Sequence, residues 1–172
     1  GWLVVGAAEG IGEKLLAALQ AEKQPLFWAT TEGSIQPSVS QPGIQPLAID
    51  FSDGAAVHAA LGTLTDQHQR LGVVYLDSSG SDAVAATPET TVKRCGALLH
   101  LAQALAATTA AVQLWVVTHA CQIIALDGRL APAAQTAQDS DRHLLTTASA
   151  SALWGLARTL AKEEPRLHCV AI

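Results

Sequence analysis

The first twelve residues constrain the fold more than any other stretch of this 172-residue chain. They read GWLVVGAAEGIG, an apolar run followed by Gly6, Gly10 and Gly12 and then by a segment of helical period. Glycines in such a turn let the backbone bend sharply, approach a phosphate group and pack a helix closely against a strand. A GxxxGxG spacing between strand and helix predicts the first turn of a dinucleotide-binding βαβ unit.

The rest of the chain continues the same alternation of short apolar runs and longer helical segments. This alternation predicts a parallel sheet whose strands are joined by crossover helices. We therefore expect one α/β domain over residues 1–172, a doubly wound sheet of about six strands in the order 3-2-1-4-5-6 with helices on both faces. Strands are predicted at 2–5, 25–30, 45–50, 71–77, 112–120 and 166–172. Four helices are predicted: the first at 11–22, the second beginning after an N-cap at Ser52 or Asp53, the third at 87–108 with Pro88 in its first turn, and the fourth at 141–163 before Pro165.

The last predicted helix carries apolar residues at steps of three and four, which indicates one buried stripe. The stripe consists of Leu145, Ala148, Ala152, Leu156 and Leu160. Of three tryptophans that could lie in the core or face a partner, we expect at least two in the core. These are Trp28, Trp115 and Trp154.

Composition indicates a domain that a partner covers in part. Apolar residues make up 49% and charged residues 15% of the chain, whereas soluble domains average roughly 25% charged residues. A sheet that ends on an apolar sixth strand also presents an edge that proteins usually protect. We expect this chain to be a piece of a longer, multidomain polypeptide.

Charge and hydropathy argue against nucleic acid and membrane as partners. The net charge is −5, and no lysine or arginine occurs between Gln24 and Gln69, so no basic stripe is available for a phosphate backbone. No apolar run approaches the roughly 18 residues that span a bilayer, and the start lacks the pattern of a signal peptide. A cytoplasmic location is predicted.

The cysteine and histidine spacings predict no metal site. Cys95, Cys121 and Cys169 are far apart and form no CxxC pair, so we interpret them as buried free thiols. The six histidines occur singly, with no HxxxH or HExxH spacing.

The glycine loop is a weaker signal for a bound cofactor than for the fold, because helix–strand packing alone requires the same glycines. Glu9 lies within the loop, where its carboxylate would repel a pyrophosphate by roughly 4 kcal/mol at about 4 Å before salt screening. The second strand ends in FWATTEG, with no base and only Glu32 as a late acid to contact a ribose. We expect no cofactor in this chain, so that Gly6, Gly10 and Gly12 form a vestigial loop.

Four motifs resemble those of the short-chain dehydrogenase/reductase family over nearly the whole chain. The glycine loop matches TGxxxGIG, IDFSD at 49–53 is similar to the acidic motif that contacts adenine, and DSSG at 77–80 lies where the family has NNAG. TTASASALWGL at 146–156 aligns without a gap with YxASKAALxGL.

In this alignment the catalytic tyrosine falls on Thr146 and the catalytic lysine on Ala150. The chemistry requires a phenol that protonates the nascent alkoxide and an ammonium one helical turn away that lowers the pKa of the phenol. Threonine and alanine supply neither group. Tyr75 is the only tyrosine, and the family's catalytic serine falls near Thr118 or His119, so no catalytic residues are predicted.

Two further stretches are similar to the structural subdomain of ketoreductases in modular polyketide synthases. VQLWVVTHACQI resembles LWLVTRGAQ, and SALWGLARTLAKEEPRLHCVAI resembles AxLWGLGRxxALEHP. The resemblance implies a truncated Rossmann fold without cofactor that stabilises a catalytic ketoreductase subdomain, or neighbouring synthase domains, on the same polypeptide. It further implies that the parent enzyme uses NADPH to reduce β-ketoacyl intermediates on an acyl carrier protein. The intact glycine loop departs from this pattern.

Two alternatives stay open from the residues alone. One is a divergent NAD(P)-dependent dehydrogenase with its own activity that uses His119 or another base. The other is a dinucleotide sensor without chemistry. Titration with NADPH separates the structural subdomain, which is expected not to bind it, from the dehydrogenase. A sensor would bind NADPH but show no turnover.

Overall fold

The computed structural model describes residues 1–7, 10–31, 42–77, 87–118 and 137–172, with side chains of the last segment from Thr146 onward. The strands are β1 (Trp2–Val5), β2 (Leu26–Ala29), β3 (Ile44–Pro46), β4 (Arg70–Leu76), β5 (Ala111–Val117) and β6 (Val170–Ala171). The helices are α1 (Ile11–Ala21), α2 (Gly54–Gln67), α3 (Pro88–Ala106) and α4 (Ala137–Glu163), and a 3-10 turn follows at Pro165–Leu167.

The six strands form one parallel sheet in the order β3-β2-β1-β4-β5-β6. This confirms the predicted α/β class and the predicted strand order. The order reverses between β1 and β4, and in such sheets the crevice at the carboxyl ends of the strands near this point is where ligands bind.

Helices cover the two faces of the sheet unequally. On one face, α2, α3 and α4 bury the large core that contains Leu3, Val73 and Leu114. On the other face, Leu16 and Leu19 of α1 pack on a smaller apolar cluster from β1, β2, β3 and β4. Among the described residues, α1 is the only helix on that second face.

Side-chain caps set the starts of two helices where the sequence predicts them. Asp53, rather than Ser52, caps α2, and its Oδ1 accepts a hydrogen bond from the backbone N–H of Ala55 at 2.8 Å. Thr87 and Thr90 form a capping box at the start of α3, and Pro88 occupies the first turn.

Three predicted strands are too long. The third spans Ile44–Pro46 rather than 45–50, because the carboxylate of Asp50 accepts hydrogen bonds from Ser52 and turns the chain toward α2. The fifth ends at Val117, and residues 119–120 lie outside the described part. The sixth is reduced to Val170–Ala171, since the 3-10 turn and the left-handed backbone of His168 precede it.

The buried stripe of α4 differs from the predicted one. Ala148 and Ala152 are exposed and Leu156 is half-buried, while Leu145 lies among the side chains that are not described. The stripe that packs into the core consists of Ser149, Ala150, Leu153, Ala157 and Leu160. Alanine occurs on several sides of this helix. The apolar period therefore fits the predicted stripe and the observed stripe, one residue further along the chain, equally well.

Fewer tryptophans and thiols are buried than predicted. Trp28 lies in the core, whereas Trp115 is half-buried and Trp154 is half-buried with the Arg158 guanidinium 4.6 Å from its ring centroid. Cys95 and Cys169 are free thiols but only half-buried, and burial raises the pKa of each. Cys121 lies outside the described residues.

The described residues contain neither a cluster of metal-binding side chains nor a membrane-spanning helix. No group of three His, Cys, Asp or Glu side chains in the described ranges is arranged to hold a metal ion. Within the same ranges, no helix is long and apolar enough to cross a membrane.

Candidate functional site

The candidate site lies at the carboxyl ends of the central strands. The glycine loop follows β1, Asp77 follows β4 and Thr118 follows β5, so the parallel register brings these three positions to one edge of the sheet. The backbone N–H of Asp77 donates to the carbonyl of Val117 at 2.9 Å, which joins the ends of β4 and β5.

Gly6 and Gly12 are required by packing within the chain itself. A Cβ on Gly6, whose φ is +141°, would lie 2.8 Å from the Cβ and the carbonyl oxygen of Leu76. A Cβ on Gly12 would lie 2.0 Å from the carbonyl oxygen of Ala7. Both glycines therefore allow the close contact of loop, helix and sheet, and they would be needed with no ligand present.

Gly10 differs from the other two loop glycines. It is the N-cap of α1 with a φ of +59°, and a Cβ there would meet no atom within 4 Å. The open space and the helix N-terminus are compatible with a phosphate group at this one position. Ala8 and Glu9 lie outside the described residues, so the predicted repulsion by Glu9 stays a prediction.

The end of β2 is fixed to the glycine loop by a buried hydrogen bond. The indole Nε1 of Trp28 donates to the carbonyl of Gly6 at 3.0 Å, and the backbone N–H of Gly6 donates to Ala29 at 2.9 Å. Only Thr30 and Thr31 follow β2 in the described part, and neither is the acid or base that would select a ribose or a 2′-phosphate. Glu32 lies outside the described residues.

Asp50 belongs to the motif predicted to contact adenine, and its carboxylate accepts hydrogen bonds within a local turn. Its carboxylate accepts from the Ser52 hydroxyl at 2.6 Å and from the Ser52 backbone N–H at 2.9 Å. These two hydrogen bonds lower the pKa of Asp50. A cavity of about 660 Å³ opens between this turn and α3, lined on the α3 side by Lys93 and His100 among others.

An ion pair that sequence reasoning missed lies beneath this edge of the sheet. Arg94 of α3 is 7% exposed, and its Nη1 lies 3.7 Å from a carboxylate oxygen of Asp77, whose side chain is fully buried. The same Nη1 makes no hydrogen bond within the described part of the chain. The sequence alone does not distinguish Arg94 from its neighbour Lys93, since both are basic residues on the same predicted helix.

Tyr75 is placed where it cannot reach a substrate. It is 1% exposed, and its hydroxyl donates to the backbone carbonyl of Arg94 at 3.0 Å. Burial, followed by the charge of Asp77, raises the pKa of Tyr75 well above its usual range. A catalytic phenol needs the opposite shift.

The two positions aligned with the catalytic tyrosine and lysine face different surroundings. Thr146 is half-buried on α4, whereas Ala150, one turn later, is 0% exposed and belongs to the stripe that packs into the core. Between them, the hydroxyl of Ser149 is buried and has no hydrogen-bond partner among the described residues. Neither Thr146 nor Ala150 carries a group that titrates near neutral pH.

The residues near the predicted position of a catalytic serine do not supply one either. The Thr118 hydroxyl donates to the carbonyl of Ile172 at 3.1 Å, and its backbone N–H donates to the same oxygen at 2.8 Å. Thr118 therefore joins β5 to the end of β6. His119, the base of the alternative hypothesis, lies outside the described residues.

The fold is shared with short-chain dehydrogenases whose structures are solved. A 3-ketoacyl-(acyl-carrier-protein) reductase from Brucella melitensis in complex with NADH matches 99% of this chain with a TM-score of 0.64 and 15% identity. NADPH-bound carbonyl reductase from chicken fatty liver matches 99% with a TM-score of 0.64 and 18% identity. A short-chain dehydrogenase from Streptomyces avermitilis matches 99% with a TM-score of 0.60 and 15% identity.

This chain spans 72%, 76% and 62% of those three proteins, respectively. No protein-family model matches the sequence, and no curated protein matches it. At identities this low, the likeness establishes the Rossmann-like fold of short-chain dehydrogenases and nothing further about activity.

Substituting a loop glycine tests whether packing alone requires it. Gly12→Ala should lower the free energy of unfolding by about 1–3 kcal/mol, because the added Cβ overlaps the Ala7 carbonyl. Gly62→Ala is the matched control on α2, where the Cβ meets nothing within 4 Å, and it should raise stability by roughly 0.5–1 kcal/mol. Urea denaturation without cofactor measures both, and an unchanged Gly12→Ala variant would contradict the packing role.

Proposed function

We propose that this chain is a non-catalytic, dehydrogenase-like subdomain of a polyketide synthase. In this proposal it stabilises a catalytic ketoreductase subdomain on the same polypeptide, and the parent enzyme reduces β-ketoacyl groups on an acyl carrier protein. NADPH would supply the hydride there, and the residues that hold NADPH and transfer the proton would lie outside these 172. The chain itself would contribute a folded surface and no reacting group.

The burial of Ala150 is the observation on which the proposal depends. In the chemistry of this fold, the lysine one turn after the tyrosine must reach the cofactor and the phenol. Here the corresponding residue is Ala150, whose side chain is fully buried, so α4 presents no amine at this position. The burial of this position therefore supports a domain in which the turn after Thr146 has a structural role.

The ion pair of Arg94 and Asp77 supports the same interpretation. Two oppositely charged side chains are enclosed 3.7 Å apart under the edge where a substrate would bind. Asp77 aligns with the first residue of the NNAG motif. Each of the two buried charges has an opposite charge beside it, which supports a structural role for the pair.

Exposed apolar side chains support a subdomain that neighbouring domains cover. Val92 and Leu99 on α3 are 71% and 38% exposed, and Val170 and Ile172 at the β6 edge are 42% and 61% exposed. Single exposed apolar residues are common. In a chain with only 15% charged residues, their number fits a domain that works inside a larger assembly.

Introducing the missing lysine tests whether α4 still has room for it. Ala150→Lys should destabilise the domain by at least about 2 kcal/mol, because a long charged side chain must enter a filled core. Ala152→Lys is the matched control on the exposed side of the same helix and should change stability by no more than about 0.5 kcal/mol. Chemical denaturation measures both, and an Ala150→Lys variant as stable as the parent would show that the position opens into the cleft.

An activity assay tests the proposal itself. The purified 172-residue chain, mixed with NADPH and a β-ketoacyl thioester, should oxidise NADPH no faster than a sample without protein, because it has no group to protonate the alkoxide. A carbonyl reductase of the same fold serves as the positive control. Turnover above the background would overturn the proposal and favour a divergent dehydrogenase, whereas saturable NADPH binding without turnover would favour a dinucleotide sensor.

The parent gene offers an independent test. The coding sequence that adjoins these 172 residues should encode a second glycine loop and an intact YxxxK pair. A neighbouring region without such a domain would contradict the proposed role in a ketoreductase.

A further inference from the structure

The sheet face that carries α1 holds an apolar groove at the end of the molecule opposite the glycine loop. The groove lies beside α1 over the first residues of β1, β4 and β5, and its cavity has a volume of about 560 Å³. Trp2, Gly72 and Trp115 form its floor, and Leu19 of α1 and Glu22, which caps the end of α1, line one side. It shares no lining residue with the cavity beside Asp50.

Along one row of side chains on this face, burial decreases from β2 to β6. The strand register places Trp28, Val4, Val74, Trp115 and Val170 side by side. The first three are 4%, 0% and 6% exposed, Trp115 is half-buried, and Val170 is 42% exposed. On the opposite face, Phe27, Leu3, Val73 and Leu114 are all buried. Parallel sheets are normally covered on both faces.

The two tryptophans of the floor are arranged as one continuous surface. The ring of Trp2 crosses β4 above Gly72, where a Cβ would lie 2.5 Å from the ring, and reaches Trp115 on β5 with 5.4 Å between ring centroids. Gly72 therefore allows the large aromatic area to lie flat over the central strands. Aromatic side chains of this kind are enriched in protein interfaces.

The side of α1 that ends at the groove is apolar along most of its length. Ile11, Leu15, Ala18 and Glu22 recur at helical spacing and share one side of the helix, and Glu22 lines the groove. Ile11 is 62% exposed, Ala18 is exposed and Leu15 is half-buried. This side of α1 forms an apolar ridge that runs from Ile11, at the glycine-loop end, to Glu22 at the groove.

We infer that this face, the apolar ridge of α1 together with the Trp2–Trp115 floor, binds a second copy of this chain through a two-fold interface. A two-fold interface needs a patch that is complementary to itself. A ridge that ends at a groove meets that condition, because rotation places the α1 of each copy in the groove of the other. Each α1 would then cover the strands that the partner's own α1 leaves open.

The charged residues that line the groove are also complementary under a two-fold rotation. Glu22 is the only acidic residue among the lining residues and lies on the α1 side. The basic lining residues are Arg70 at the start of β4 and His168 next to β6. A two-fold axis through the middle of the groove brings the acidic side of one copy opposite the basic side of the other.

Sedimentation equilibrium of the 172-residue chain tests the inference. The weight-average mass should rise with concentration from 17.8 kDa toward twice that value. Ile11→Lys on the ridge and Val170→Lys at the far edge of the floor should each weaken dimerisation by about tenfold or more in Kd. Both side chains are exposed in the monomer, and circular dichroism checks that each variant folds.

Val92→Lys is the matched control, since Val92 is 71% exposed but lies on α3, on the opposite face of the sheet. Its Kd should equal that of the parent chain. A chain that stays monomeric at every concentration up to its solubility limit would overturn the inference and leave the groove to another protein segment. A dimer that Val92→Lys abolishes and the other two variants leave intact would also overturn it, by moving the interface to the α3 face.

Discussion

The packing of α4 against the core is the contact on which this domain depends. Ala150, Leu153 and Ala157 are fully buried on the inner side of the helix and fit against α3 and the far half of the sheet. Small side chains let the helix approach closely, and that closeness removes the space that a functional side chain would need. In an active dehydrogenase of this fold the same segment of helix must hold a lysine in a cleft. In this chain the corresponding turn carries Ala150, whose side chain is buried.

The glycine loop is weak evidence for a bound dinucleotide, because packing within the chain requires two of its glycines. Gly6 and Gly12 are each held by contacts with Leu76 and Ala7 that no larger residue could make. The loop would thus persist in a domain that never binds a dinucleotide. Only Gly10 leaves open space in front of it, and around it the described residues offer neither a ribose-selecting side chain nor a proton donor.

Much of the fold follows from the order of apolar segments along the chain. The alternation of strands and helices predicted the class and the sheet order, and local signals predicted the cap at Ser52 or Asp53 and the first-turn position of Pro88. Each of these depends on local pattern or on connections of limited length. The side of α4 that is buried could not be predicted, since alanines fit either stripe. The Arg94–Asp77 pair joins α3 to the end of β4, and such a long-range contact leaves no local signal. Alignment alone, in contrast, predicts that Thr146 and Ala150 stand at the catalytic positions, and the loss of catalysis stays a prediction.

A crystal of the chain soaked with NADPH and a β-ketoacyl thioester measures most directly whether any reacting group remains. The account predicts no ordered nicotinamide beside Thr146 and the Ala150 methyl still enclosed by the core. A nicotinamide ring ordered next to Thr146, with an acidic group of this chain within hydrogen-bond distance of the substrate carbonyl, would contradict it.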